Sequence, residues 1–233
     1  MCSNDRHPGA ASVGVANIVR QRRSVRAFRQ TPVPEDLLDQ VLAAALRAPS
    51  GGNLQPWQLH IVTGASLRML TKRVVEQQRA GRHETPAHGI YPDDLWEPHR
   101  TDRYEVGEAL YRTIGIDRSD RAGRLAQVEQ NFHFFGAPVG LFFALDRRML
   151  AAQWIDLGIL MQTIMLIAVD QGLATCPQAA WALWPETLRA ELGLDETMMV
   201  AAGMALGYED TEHPINGLQT SRRPGRELIH FHR

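Results

Sequence analysis

Arg22, Ser24 and Arg26 occupy every second position of the stretch Arg22-Arg23-Ser24-Val25-Arg26-Ala27-Phe28. If that stretch is extended, the three side chains share one face. Two guanidiniums and a hydroxyl on one face suit a phosphate, which takes several charge-assisted bonds from arginine's rigid fork. A solvated basic turn would carry the same residues. A second arginine pair, Arg222-Arg223, precedes Pro224 and follows Asn216 and a run of turn formers. It reads either as a phosphate contact or as a solvated tail. Spacing alone does not say whether the two clusters meet.

The stretch Ala48-Pro49-Ser50-Gly51-Gly52-Asn53-Leu54-Gln55-Pro56-Trp57 has a different chemistry. Paired glycines let the backbone approach a flat ligand and take positive φ, and exposed N–H groups in such a turn form a donor concavity. The Asn53 amide both donates and accepts, as a ring with carbonyls and an N–H requires. A helix-to-strand turn capped by glycine is the plainer reading. Cys176 stands before Pro177 with no cationic sequence neighbour, so it reads as a buried structural thiol rather than a nucleophile. The sequence has no G-x-G-x-x-G, no P-loop and no H-E-x-x-H, and its 9 histidines are scattered without metal-ligand spacing.

These residues need a scaffold. The chain has 233 residues, 44% of them hydrophobic and 22% charged, which suits one generous folded domain and argues against disorder. With 25 basic against 26 acidic residues, no global field favours nucleic acid or an anionic membrane. Two cysteines exclude a disulfide framework and point to a reducing, cytoplasmic setting. The polar start predicts no signal peptide but a loose arm over 1–12.

Hydrophobic periodicity predicts helices over 13–22, from Pro34 to before Pro49, from Ser66 to Ala80, over 119–134, 153–171 and 186–192. It predicts strands over 57–62, 139–145, 173–176 and 198–206. Residues 81–115, with three prolines and four large aromatics, read as an irregular lid or binding region. The helix over 153–171 is apolar nearly all round and must be covered on most sides, either as a central helix or at a subunit interface. The tail from Tyr208 has few core residues beyond Leu228, Ile229 and Phe231 and is expected to wrap another surface. No linker divides the chain: the fold class is α+β, one domain.

RRSVRAF, a helix, APSGGNLQPW, LATCPQAAW, and LGYEDTEHPIN followed by SRRP occur in an order that closely resembles the FMN-dependent nitroreductase family, from about residue 15 to the end. NFHFFGAPVGLFF and the TCPQ loop look most like its nitrobenzoate-reductase branch.

The resemblance implies a three-layer α-β-α sandwich with a mixed or antiparallel central sheet, an obligate homodimer holding two FMN molecules at its interface. It implies that Arg22, Arg23, Ser24 and Arg26 grip the flavin's phosphate, ribityl and pyrimidine edge, and that Pro49, Ser50, Gly51 and Asn53 come from the other subunit. Cys176, Pro177 and Gln178 would face the ring, Arg222 would hold phosphate, and the helix over 153–171 would be the dimer helix. Where some relatives carry a lysine, Thr220 stands here, so phosphate charge would rest on Arg22, Arg26 and Arg222. The implied activity passes hydride from NADH or NADPH through bound FMN to a flat, electron-poor nitroaromatic or quinone, one pocket serving both half-reactions, with no protein acid or base and no metal. Dehalogenating, flavin-cleaving or non-catalytic flavin-binding relatives are the alternatives.

Overall fold

A four-stranded sheet in the order β1-β2-β4-β3, every neighbouring pair antiparallel, is the middle layer of the molecule. The computed structural model describes residues 14–233, so the arm expected over 1–12 lies outside it. In chain order the elements are α1 (Val15–Gln21), α2 (Glu35–Ala45), β1 (Trp57–Thr63), α3 (Gly64–Arg79), α4 (His99–Thr113), α5 (Arg121–Glu129), β2 (Val139–Asp146), α6 (Ala151–Asp170), β3 (Ala174–Gln178), α7 (Pro185–Leu192), β4 (Met198–Gly207) and α8 (Gly225–Leu228).

Strand β2 shows why there are three layers. Its residues are buried on both sides, and the two-residue period sends Leu141, Phe143 and Leu145 to one face and Phe142 and Ala144 to the other. The first set packs under α2 and α6, with Val41, Leu157, Leu160 and Ile164. The second packs under α3 and α7, with Val74, Trp181 and Leu188. Each large side chain so buried is worth about 1.5–3 kcal/mol. Glycine makes the second core possible. A Cβ at Gly140 would lie 2.6 Å from the Phe134 ring, and one at Gly203 would collide with the Trp181 indole.

The sheet is antiparallel throughout its named strands. Its parallel component is the isolated bridge between Ser24 and Thr175, which lays the 22–28 stretch along β3. Other expectations need correction. Helix α3 begins at Gly64, ahead of Ser66, and Thr63 at its start makes no side-chain cap. Residues 81–115 are not irregular throughout, because α4 fills 99–113. No side chain of α4 is buried, so the sequence carries no apolar stripe to reveal it. The helix expected over 119–134 breaks at Glu129 and continues as a 3-10 turn over 130–136.

There Phe134 and Phe135 hold φ of 50° and 54°, ahead of Gly136 at 83°. Left-handed backbone at two phenylalanines costs about 1–3 kcal/mol each. Burial of both rings offsets that cost. The turn also aims two carbonyls at the 22–30 stretch: Phe28 N donates to Phe135 O (3.1 Å) and Gln30 Nε2 to Gly136 O (2.7 Å).

Candidate functional site

The 22–28 stretch is extended because its backbone is claimed from two sides. Val25 N donates to Thr175 O of β3 (3.0 Å). Arg26 N donates to Asn216 Oδ1 (2.8 Å), and Asn216 Nδ2 donates to Ala27 O (2.9 Å) and Asp210 O (2.8 Å). Asn216 is buried and clamps the stretch to the C-terminal loop. In the sequence Asn216 is only a landmark, since one amide in a run of turn formers announces no partner 190 residues away.

The alternation is as expected. Arg22, Ser24 and Arg26 are half-buried, Val25 and Ala27 enter the core, and Arg23 is exposed. Arg23 differs from the expected phosphate grouping: it faces away and pairs with Glu209 at 2.5 Å. Period-two geometry requires that separation.

Arg22 and Arg26 lie close enough to Cys176 for their charge to favour its thiolate. Burial is the larger influence and pushes the thiol up to about 11, so Cys176 is a neutral structural group. On the same strand, Thr175 Oγ1 and Gln178 Oε1 are buried without partners, while Gln178 Nε2 donates to Asn131 O (2.6 Å). Pro177 between them is half-buried.

The glycine loop forms a 3-10 turn over Gly51–Asn53, entered from Pro49 and Ser50. Gly52, Asn53 and Gln55 all hold positive φ, a run that needs outside support. Ser50 Oγ accepts from Gln55 N (2.9 Å), and Asp156 Oδ1 accepts from Gly51 N (3.1 Å). Asp156 is 6% exposed and its second oxygen has no partner. In the sequence it is merely a charge interrupting the apolar run of α6. Its role in holding the loop is visible only when α6 and the loop are side by side.

Among the described residues no hydrogen bond or ion pair joins the 49–53 loop to Arg22, Arg26 or the 174–178 strand. Arg222 is also apart: its guanidinium turns onto its own loop, donating to Ser221 O (2.7 Å) and Thr220 Oγ1 (2.7 Å). A single chain therefore does not assemble the expected clasp of Arg22, Arg26 and Arg222. Arg223 pairs instead with Asp102 of α4 (3.4 Å). A groove of about 680 Å³ lies elsewhere, between α3 and the 130–136 turn, and is lined by Arg68, Lys72, Glu76 and Arg79 among others. None of the residues expected to hold a cofactor borders it.

A buried strand end thus lies beside the two half-buried guanidiniums of an extended basic stretch, on a three-layer α+β sandwich. The chain belongs to the nitroreductase family, whose sequence model matches residues 19–208. It is 37% identical to the 4-nitrobenzoate reductase of Pseudomonas putida, over 92% of this chain and 93% of that protein. It is 39% identical to the chloronitrobenzene nitroreductase of Comamonas testosteroni, over 93% and 96% of the two chains. Its fold superposes with a TM-score of 0.92 on the FMN and NADPH-dependent nitroreductase NfnB of Sphigopyxis sp. strain HMH, at 43% identity, covering 94% of this chain and 99% of that one.

Proposed function

We propose that the chain is an FMN-dependent oxidoreductase that uses NADPH or NADH to reduce nitroaromatic compounds. The observation that carries this is the wall formed by Arg22, Ser24, Arg26 and the 174–178 strand. It combines two half-buried guanidiniums and the Ser24 hydroxyl with Thr175 Oγ1, which the bridge sets on the same face and which lacks a partner. Such a donor and acceptor set fits a phosphorylated, carbonyl-bearing planar group. When bound, FMN supplies a two-electron couple that takes hydride from the nicotinamide and delivers it to the acceptor.

The protein's own part is position and electrostatics. Arg22 and Arg26 hold negative charge that their neighbour Cys176, kept neutral by burial, does not contest. The bridge to Thr175 fixes their spacing, and Asn216 fixes the backbone of Arg26. Arg222, which rests on its own loop within one chain, would join the phosphate in the assembled enzyme.

The assembled enzyme is a homodimer in this proposal. Asp156 would fix the Pro49, Ser50, Gly51 and Asn53 turn so that it meets the flavin on the partner's wall. Ile155 and Ile159 of α6, 67% and 37% exposed, would lie in the interface. By length and composition alone α6 could cross a membrane. Its sheet-facing side, with Leu157, Leu160 and Ile164, is core, which favours an interface helix instead. One domain over 13–233, a covering region over 81–115, a tail over 208–233 that reaches the partner, and a cytoplasmic location complete the proposal.

The test is the visible spectrum of the purified protein, before and after anaerobic NADPH and then nitrobenzoate. A flavin band that bleaches and recovers is expected. Arg22→Ala and Arg26→Ala should each weaken FMN binding about 10- to 100-fold, the cost of a lost charge-assisted contact. Stoichiometric flavin in the double variant would sink the phosphate assignment.

A further inference from the structure

Strand β4 skips a residue against β2. Phe143 pairs with Ala202 and Ala144 with Val200, leaving Ala201 as a bulge whose carbonyl is outside the ladder. His88 fills that gap, its Nε2 lying 2.7 Å from Ala201 O. A carbonyl only accepts, so Nε2 is the donor in this contact, and Nδ1 stands 3.0 Å from a second carbonyl, Gly89 O. The imidazole also stands edge-on to the Trp154 indole of α6, with ring centroids 5.0 Å apart at 82°.

The residues just before His88 are seated too. Ala87 N donates to Ala182 O (2.9 Å) in the turn that follows β3. The Glu84 carboxylate accepts from Glu186 N (2.6 Å) and Thr187 Oγ1 (2.5 Å) at the start of α7. Residues 84–88 therefore cross the end of the sheet, from the α7 layer to the α6 layer. The proposed cofactor strand reaches that end at Gln178, which pairs with Gly203, two residues from the bulge. Beyond His88 the chain runs on with Tyr91 and Trp96, 55% and 60% exposed and outside either core. The Arg103 guanidinium of α4 sits 4.1 Å over the Tyr91 ring and tethers the far end.

We infer that His88 is a positioning residue for the electron acceptor, seating the 89–98 arm so that Tyr91 and Trp96 form an aromatic wall beside the site. The inference rests on the reductase reading above. Flat, electron-poor rings are the ligands such a wall takes, by stacking on exposed aromatic faces.

The test compares His88→Leu, which removes the donor but keeps bulk, with His88→Gln, whose side-chain amide reaches the Nε2 position. Both are assayed as FMN-loaded enzyme with nitrobenzene and nitrobenzoate, alongside flavin content and the rate of tryptic cleavage at Arg100 and Arg103. The leucine variant should keep its flavin, raise the acceptor KM about five- to tenfold with little change in kcat, and be cut faster. The glutamine variant should restore both KM and protection. An unchanged KM in His88→Leu overturns the inference, as does His88→Gln impaired equally with it, or a fall in kcat alone. Should His88→Leu not fold, His88→Asn replaces it. Its shorter amide falls short of Ala201 O and should raise KM where glutamine does not; equal values overturn the role. Wild-type enzyme that holds FMN but reduces no nitro acceptor overturns the reductase reading itself, and this inference with it.

Discussion

The Cys176 thiol sits under the influence of Arg26 and Arg22 yet carries no charge of its own. Burial holds its thiol at about 11 against an ordinary 9.0, while Arg26 and Arg22 pull weakly the other way. The sign is definite: a raised value means that the folded state favours the protonated form. Its contribution to stability is complete below pH 9 and is lost as pH climbs toward about 11. Native protein at pH 8 should leave Cys176 unalkylated by iodoacetamide, with rapid labelling after unfolding, read by peptide mapping. Fast native labelling would show a thiolate and overturn the structural role. Arg23 teaches the complementary lesson. It sits in the same basic cluster as Arg22 and is chemically identical, yet strand alternation gives it to Glu209 and the surface.

Among the elements, the interlock of Gly203 with Trp181 carries the heaviest packing demand. The indole is fully buried, stacks on Phe134 at 4.7 Å and meets Phe142 edge-on at 5.0 Å. Gly203→Ala forces this cluster to shift and should cost about 1–3 kcal/mol in urea unfolding, the ordinary penalty of overpacking. A neutral result would mean that the indole moves freely. Elements with one apolar face, such as α2 or α7, were legible in the sequence, because period and breakers agree there. So were the four strands and the alternating arginines. Helix α4 was not, because it buries nothing, and neither was the left-handed pair Phe134-Phe135, since phenylalanine carries no local signal for positive φ. Asn216, Asp156 and His88 escaped for one reason: each acts across more than 100 residues of sequence on a backbone atom, and backbone atoms have no letter.

For the molecule as a whole, the exposed apolar side of α6 is the decisive surface. Ile155→Glu would place a charge in the proposed interface, where an unpaired buried charge is strongly unfavourable. Sedimentation should show monomers, and flavin should be lost with the dimer. A monomeric protein that keeps stoichiometric FMN would break the link between assembly and binding. Lys72 has a more practical bearing. It is the chain's sole lysine, 74% exposed on α3 beside the groove and away from every residue assigned to the flavin. Amine-directed coupling to a resin, electrode or dye would thus attach through one side chain besides the terminal amine, and that side chain is none of those assigned to the flavin.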